Sequence, residues 1–313
     1  MRSAFILLLV CLFLPSCGER QTPVSNRVAR AKLDQSAADL NKKKEFLTRF
    51  FKPMQTRPGD WLESHPEDGE TFEDYIGSDP TLPTGKRKTI YIQPVGSFTK
   101  KQLKVISLTA DYMKAFFNLP VVMQDAKPLG IVSDDLVRVQ YPNNKQIRTS
   151  YFIDNLLPPM LPDDGAALIC LTSNDLYPGD TWNFVFGQAS LEKRVGVWSL
   201  WRLEQDGSKA ASEDLLLART LKIAMHETAH MFSMRHCTKY ECLMSGTNSL
   251  EETDRRPMDV CPECVAKISW ALKYDLSERY KNLAVFWKKQ NRLTESRQML
   301  EKAGALCGCK VEV

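Results

Sequence analysis

Residues 226–237 read HETAHMFSMRHC. Three of the four histidines in the chain fall here, and His65 is the only other. Histidines that merely fill a core do not cluster this way. Residues four apart share one face of an α-helix, so His226 and His230 present their rings to a common point. Neutral imidazole binds zinc at about 2.0–2.1 Å, which makes that point a candidate metal site. His65 sits alone in an acidic stretch and reads as structural or exposed.

Glu227 follows His226 directly. It leaves the shared face but stays near the open side of such a site, where a carboxylate takes a proton from water and later returns it to a leaving amine. This is the H-E-x-x-H arrangement of zinc peptidases. A third ligand, His236, lies six residues after His230. A continuing helix would carry it away, so the chain must turn sharply. Metzincins place a glycine at that turn because a left-handed backbone costs glycine little. Here the residue is Ser233, at a cost on the order of 1 kcal/mol. That cost bears on where His236 comes to rest and on how active the site is.

Cysteines extend the pattern. Cys237 and Cys242 form one close pair, and Cys261 and Cys264, in CPEC, form another. Four thiolates so spaced suit a closed structural zinc site. Two disulfides or a redox-active CPEC pair are the alternatives. Cys170, within an apolar run, reads as an inert small hydrophobe. Cys307 and Cys309 carry no assignment.

Working outward, SEDLLLARTLKIAMHETAHMF (212–232) reads as a helix, with Ser212 as N-cap and Glu213 and Asp214 favoured at its positive end. Upstream, mixed α/β patterning predicts strands at 89–96, 120–124, within 165–177, at 182–191 and at 194–203, with an amphipathic helix over 101–119. Residues 28–51 predict another helix. The Pro-, Gly- and acid-rich stretch that follows predicts an irregular arm packed through Trp61. After Cys264 the pattern is helical almost to the end. A chain of 313 residues with 43% hydrophobic and 26% charged residues buries a full core. A net charge of +4 without a concentrated basic surface argues against a nucleic-acid partner.

The N-terminus, MRSAFILLLVCLFLPSC, has one basic residue and then an apolar run suited to a secretory signal. Leu14-Pro15-Ser16-Cys17 resembles a bacterial lipobox. The expectation is a signal over 1–16, then export and a lipid anchor at Cys17 as the one membrane attachment.

The motif residues together resemble the archaemetzincins, whose hallmark is H-E-x-x-H-x-x-G-x-x-H-C, then C-x4-C-x-M, then C-x-x-C. This chain departs from it at Ser233. WLESHP, KRKTIYIQPVGSF, DLYPGDTWNFVFGQASL and GTNSLEETDRRPMDVCPEC extend the likeness to the longer, animal-type form. The resemblance implies an α+β, metzincin-like fold, with a twisted mixed sheet over the active-site helix. It covers roughly residues 61–285; together with the residue pattern it gives the expected organisation, a tether and N-terminal helix over 17–60 and a catalytic domain over 61–313 that ends in a helical C-terminal subdomain. It implies that His226, His230 and His236 bind a catalytic zinc with Glu227 as general acid/base, and that Cys237, Cys242, Cys261 and Cys264 bind a second zinc. Met244 would supply the methionine turn beneath the catalytic metal, and NFVFGQA the edge strand that holds a peptide. Hydrolysis of peptides is the expected activity. The alternative is a zinc protein that binds peptides with little or no hydrolysis.

Overall fold

The computed structural model describes residues 24–140, 144–207 and 209–311. The expected signal and lipobox lie outside them. Contacts divide the chain into two units, Met1–Ala38 and Asp39–Val313. In chain order the helices and strands begin with α1 (Val24–Leu47), α2 (Trp61–Ser64) and α3 (Phe72–Gly77). Next come β1 (Thr89–Val95), α4 (Lys100–Phe117), β2 (Val121–Met123), β3 (Val137–Gln140) and β4 (Asn144–Arg148). The short α5 (Thr149–Tyr151) precedes β5 (Gly165–Thr172), β6 (Asp175–Tyr177), β7 (Gly187–Ala189) and β8 (Val195–Ser199). Five helices complete the main framework: α6 (Glu213–Met231), α7 (Leu250–Arg255), α8 (Pro262–Leu272), α9 (Leu276–Lys289) and α10 (Leu293–Cys307). No helix among the described residues is long and apolar enough to cross a membrane.

The protein is a mixed α+β fold. Among the described residues the main sheet has the order β2-β1-β5-β8-β7, parallel except for β7, which runs antiparallel to β8 at one edge. β5 is buried along its whole length, as a central parallel strand covered on both faces must be. Cys170 lies within it, and burial pushes its thiol well up. α4 begins in a capping box: Thr99 accepts from the Gln102 amide at 3.2 Å and Gln102 accepts from the Thr99 amide at 2.8 Å. α6 packs on β7, β8 and α4, which fixes its motif face toward the edge of the sheet. α9 packs on α4 and on α10.

A hairpin unforeseen in the sequence, β3 and β4, joins β6 in a smaller three-stranded sheet. Its buried Asp175 takes a two-pronged hydrogen bond from Arg202 at 2.8 and 2.7 Å, and further ones from Asn144 and Gln146. Arg138 of β3 donates to the carbonyls of Trp182 and Asn183. This sheet therefore holds the loop that leads into β7.

The expected strand over 182–191 shrinks to Gly187–Ala189, with a single bridge from Val185 to Leu176. Phe184 and Phe186 pack edge-on to each other instead, and Arg202 lies over the Phe184 ring. The N-terminal helix ends earlier than its pattern predicts, at Leu47, in a 3-10 turn over Thr48–Phe50. Cys307 and Cys309, unassigned from sequence, form a disulfide.

Candidate metal centre

Ser212 caps α6 by accepting from the Leu215 amide at 3.2 Å. The helix carries His226 and His230 on its last two turns and stops at Met231. Ser233 then adopts φ +62°, the left-handed turn that its position in the motif demands. Two hydrogen bonds hold the hydroxyl there. It donates to the Leu191 carbonyl at 2.8 Å and accepts from the Thr81 amide at 2.9 Å. At about 0.5–1.5 kcal/mol each, they offset a left-handed cost of roughly 1–2 kcal/mol. The serine has not displaced His236: ligand nitrogens of His226, His230 and His236 all lie within 4.8 Å of one another.

The other ring nitrogens are committed. His226 Nδ1 donates to the Leu243 carbonyl at 3.0 Å, and His230 Nδ1 to the Met234 carbonyl at 2.6 Å. A carbonyl only accepts, so each Nδ1 carries the proton and each Nε2 presents a lone pair. Those Nε2 atoms face each other at 2.9 Å. Two lone pairs at that distance repel unless a cation lies between them, so the donor set fits a zinc ion. Burial, together with the other two rings, holds His226 well below its ordinary value. Burial and then His236 hold His230 at about 4. Both therefore stay neutral and able to ligate at physiological pH.

His236 is oriented by a residue that sequence reasoning missed. Its Nδ1 donates to both carboxylate oxygens of Glu67, at 2.9 and 3.0 Å, and Trp61 Nε1 donates to the same carboxylate at 2.8 Å. Burial pushes Glu67 up, but the hydrogen bonds from His236 and Trp61 prevail and leave it below the usual range. The arm is pinned from behind. Lys267 of α8 donates to the Glu70 carboxylate at 2.8 Å, and the Phe72 amide donates to Glu263. His65, expected to be structural or exposed, is half-buried and stacked on Trp61 at 3.9 Å, with the Trp182 ring 6.0 Å away and nearly parallel to it. Trp61 reaches this place because residue 246 is glycine: a Cβ there would come within 2.4 Å of the indole.

Glu227 is buried at 8% exposure, and burial raises its carboxyl to about 8. β7 passes close above it. A Cβ on Gly187 would lie 3.1 Å from Glu227 Oε1 and 2.8 Å from Trp198 Cβ. β7, Glu227 and the three histidines line one cleft of about 760 Å3. An edge strand beside a metal-competent site can hold an extended chain by strand addition.

The four cysteines converge one residue beyond His236. Their Sγ atoms lie within 4.8 Å of one another, and all four are buried free thiols rather than disulfides. Cys237 and Cys261 are 3.6 Å apart at sulfur. The amides of Met244 and Cys261 donate to Cys242 Sγ at 3.4 and 3.2 Å. Hydrogen bonds from the other three sulfurs favour thiolate at Cys237, whereas burial keeps Cys242 a thiol. A cation among them removes that conflict, so this set also fits zinc. Met244 is fully buried, and its carbonyl accepts from the Cys237 amide at 2.8 Å. The turn that contains Leu243 and Met244 thus ties the two centres together.

Comparison with known proteins follows the same lines. The model of peptidase family M54 matches residues 132–270. Archaemetzincin-2 of Homo sapiens is 35% identical over 258 residues, covering 72% of this chain and 71% of that protein. Archaemetzincin-1 of Homo sapiens is 30% identical over 286 residues, covering 76% and 55%. The crystal structure of archaemetzincin from Archaeoglobus fulgidus, complexed with malonate, is 28% identical with a TM-score of 0.46, covering 57% of this chain and 99% of that one. The chain belongs to the archaemetzincins, peptidase family M54, a family of zinc metallopeptidases.

Proposed function

We propose that the chain hydrolyses peptide bonds at the three-histidine centre, with a second zinc ion held by the four cysteines. The observation that carries this reading is the pair of His226 and His230 Nε2 atoms facing each other, with both Nδ1 protons committed to carbonyls and Glu227 beside them under the edge strand. His226, His230 and His236 would hold the catalytic zinc, which when bound supplies Lewis acidity toward a carbonyl oxygen and toward water.

Every other part of the chemistry belongs to the chain. β7 aligns an extended peptide along the cleft. Glu227 takes one proton from the attacking water as its oxygen joins the carbonyl carbon. The same carboxyl then delivers that proton to the amide nitrogen as the C–N bond breaks, and the second water proton passes from the new carboxylic acid to the amine, leaving a carboxylate and an ammonium. Burial favours the protonated carboxyl that this second step requires, and the bound cation favours the carboxylate that the first requires. Cys237, Cys242, Cys261 and Cys264 serve a structural ion, which keeps the loop after His236 in place.

Glu227→Gln tests the reading. Peptide hydrolysis by the zinc-loaded protein falls about 100- to 10,000-fold, with zinc content unchanged by mass spectrometry. Equal rates for variant and wild type would leave a peptide-binding zinc protein, the alternative reading. The leader supports export and a lipid anchor at Cys17, so Cys17→Ser releases the protein from membranes. A wild type found wholly in the soluble fraction removes the anchor.

A further inference from the structure

Lys222 sits on α6 four residues before His226, so Lys222, His226 and His230 form one row along a single helix face. It lines the same cleft as the histidines. Its Nζ donates to the carbonyls of Thr253 and Asp254 in the last turn of α7, both at 2.9 Å. An ammonium has three N–H groups, so one remains. Lys222 forms no ion pair among the described residues, because the nearby Asp254 carboxylate is held by Arg219 at 2.8 and 2.6 Å.

Three charged side chains line the cleft: Glu227, Lys222 and Arg256. Arg256 is spent internally on Glu241, Glu252 and Asp60. Glu227 is the carboxyl already assigned to the chemistry. That leaves Lys222 as a half-buried cation without an ion pair of its own, its nearest carboxylate, Asp254, being engaged by Arg219. Burial also costs it, pushing its ammonium down to about 8, and a carboxylate arriving from the cleft relieves that cost.

We propose that Lys222 is a specificity-determining residue that receives a carboxylate of the peptide close to the scissile bond. Neighbours four apart on a helix lie about 5–6 Å from each other, and an extended peptide advances roughly 3.3 Å per residue. The carboxylate therefore belongs one or two residues from the bond that is cut. Its source is either an acidic side chain or a free C-terminus. This inference rests on the peptidase reading and adds to it a substrate class, peptides acidic beside the cleavage point.

The test uses the zinc-loaded full chain and quenched peptides in which Glu or Gln is placed at each of two positions either side of the scissile bond, each made with a free and an amidated C-terminus. The wild type prefers Glu to Gln at one position by about tenfold or more in kcat/KM, or prefers the free terminus to the amide by the same factor. These two arms separate the sources of the carboxylate. Lys222→Gln, which retains a donor for the α7 carbonyls, brings the ratio below about threefold, whereas Lys222→Arg keeps it. A second arm measures binding alone: the zinc-loaded Glu227→Gln protein binds the Glu or free-acid peptide about tenfold more tightly than its neutral partner. If no peptide is cut, the peptidase reading falls and the binding arm decides on Lys222. Peptide cleavage with a wild-type ratio near one, or a ratio that Lys222→Gln leaves intact, makes Lys222 no more than a cap for α7 and overturns the proposal.

Discussion

The carboxylate of Glu67 accepts from His236 Nδ1 at 2.9 and 3.0 Å, across 169 positions of sequence. A carboxylate behind a ligating imidazole fixes its tautomer and raises its basicity, and losing such a partner typically costs about 10- to 100-fold in metal affinity. Glu67→Ala is expected to weaken zinc binding at the three-histidine centre by that factor in competition with a chromophoric chelator, with Glu67→Gln intermediate. Unchanged affinity in both variants means that Glu67 only braces Trp61.

Gly187 is the point where β7 comes closest to Glu227. A methyl group there meets Trp198 Cβ at 2.8 Å and the Glu227 carboxylate at 3.1 Å, so the strand or the carboxylate must shift. Misplacement of about 1 Å can cost roughly 100-fold. Gly187→Ala is expected to lower kcat/KM by about 10- to 100-fold while zinc content stays at the wild-type value. A fully active variant would show that the strand yields without disturbing the site.

Ser233 separates backbone strain from hydrogen bonding. Ser233→Ala keeps the left-handed strain and loses both bonds of the hydroxyl, for an expected loss of roughly 1–3 kcal/mol. Ser233→Gly loses the same bonds but relieves the strain, so it stays within about 1 kcal/mol of wild type. Urea unfolding of the two variants gives the order. Alanine as stable as glycine would contradict it.

Acid acts on the metal-free protein through the histidines. His230 is held at about 4 by burial and then His236, against an unfolded value near 6.5. Between these limits the unfolded chain binds more protons, so stability is present above pH 6.5 and is lost as pH falls toward 4. The chelated wild type is therefore expected to lose more stability over that window than chelated His230→Gln. Parallel curves in denaturant titrations at stepped pH would refute the assignment.

Removing a thiol from the four-cysteine set tests its structural role. Cys264→Ser is expected to reduce zinc from two ions per chain to one in native mass spectrometry. Loss of a structural metal ranks with the large single-residue effects, roughly 3 kcal/mol or more. At about 2–4 °C per kcal/mol that lowers Tm by about 6–12 °C. Two zincs retained at an unchanged Tm would remove the second site.

What was legible in the sequence is what depends on neighbours along the chain. The spacing of His226 and His230 decides that they share a helix face, and the interval to His236 decides that a turn intervenes with Ser233 in a left-handed conformation. Cys237 and Cys242 lie close along the chain, as do Cys261 and Cys264 at the start of α8, so each pair is legible from its spacing, while the fold brings the two pairs together. The central strand within 165–177 and the helix over 101–119 show themselves through continuous or periodic apolar runs.

Irregular segments carry no such period, and there the tertiary structure decided. The arm brings Glu67 behind His236 because Lys267 and Glu263 pin it from another helix. The expected long strand over 182–191 is cut to Gly187–Ala189 as Phe184 packs on Phe186 and under Arg202, while Arg138 holds the carbonyls of Trp182 and Asn183 from another sheet. Among the described residues Lys222 is left without an ion pair because Arg219 claims Asp254. Each outcome is a competition among partners distant in sequence, settled by which groups the folded chain brings within hydrogen-bonding reach. Local spacing chose the ligands, and only the closed chain chose what holds and surrounds them.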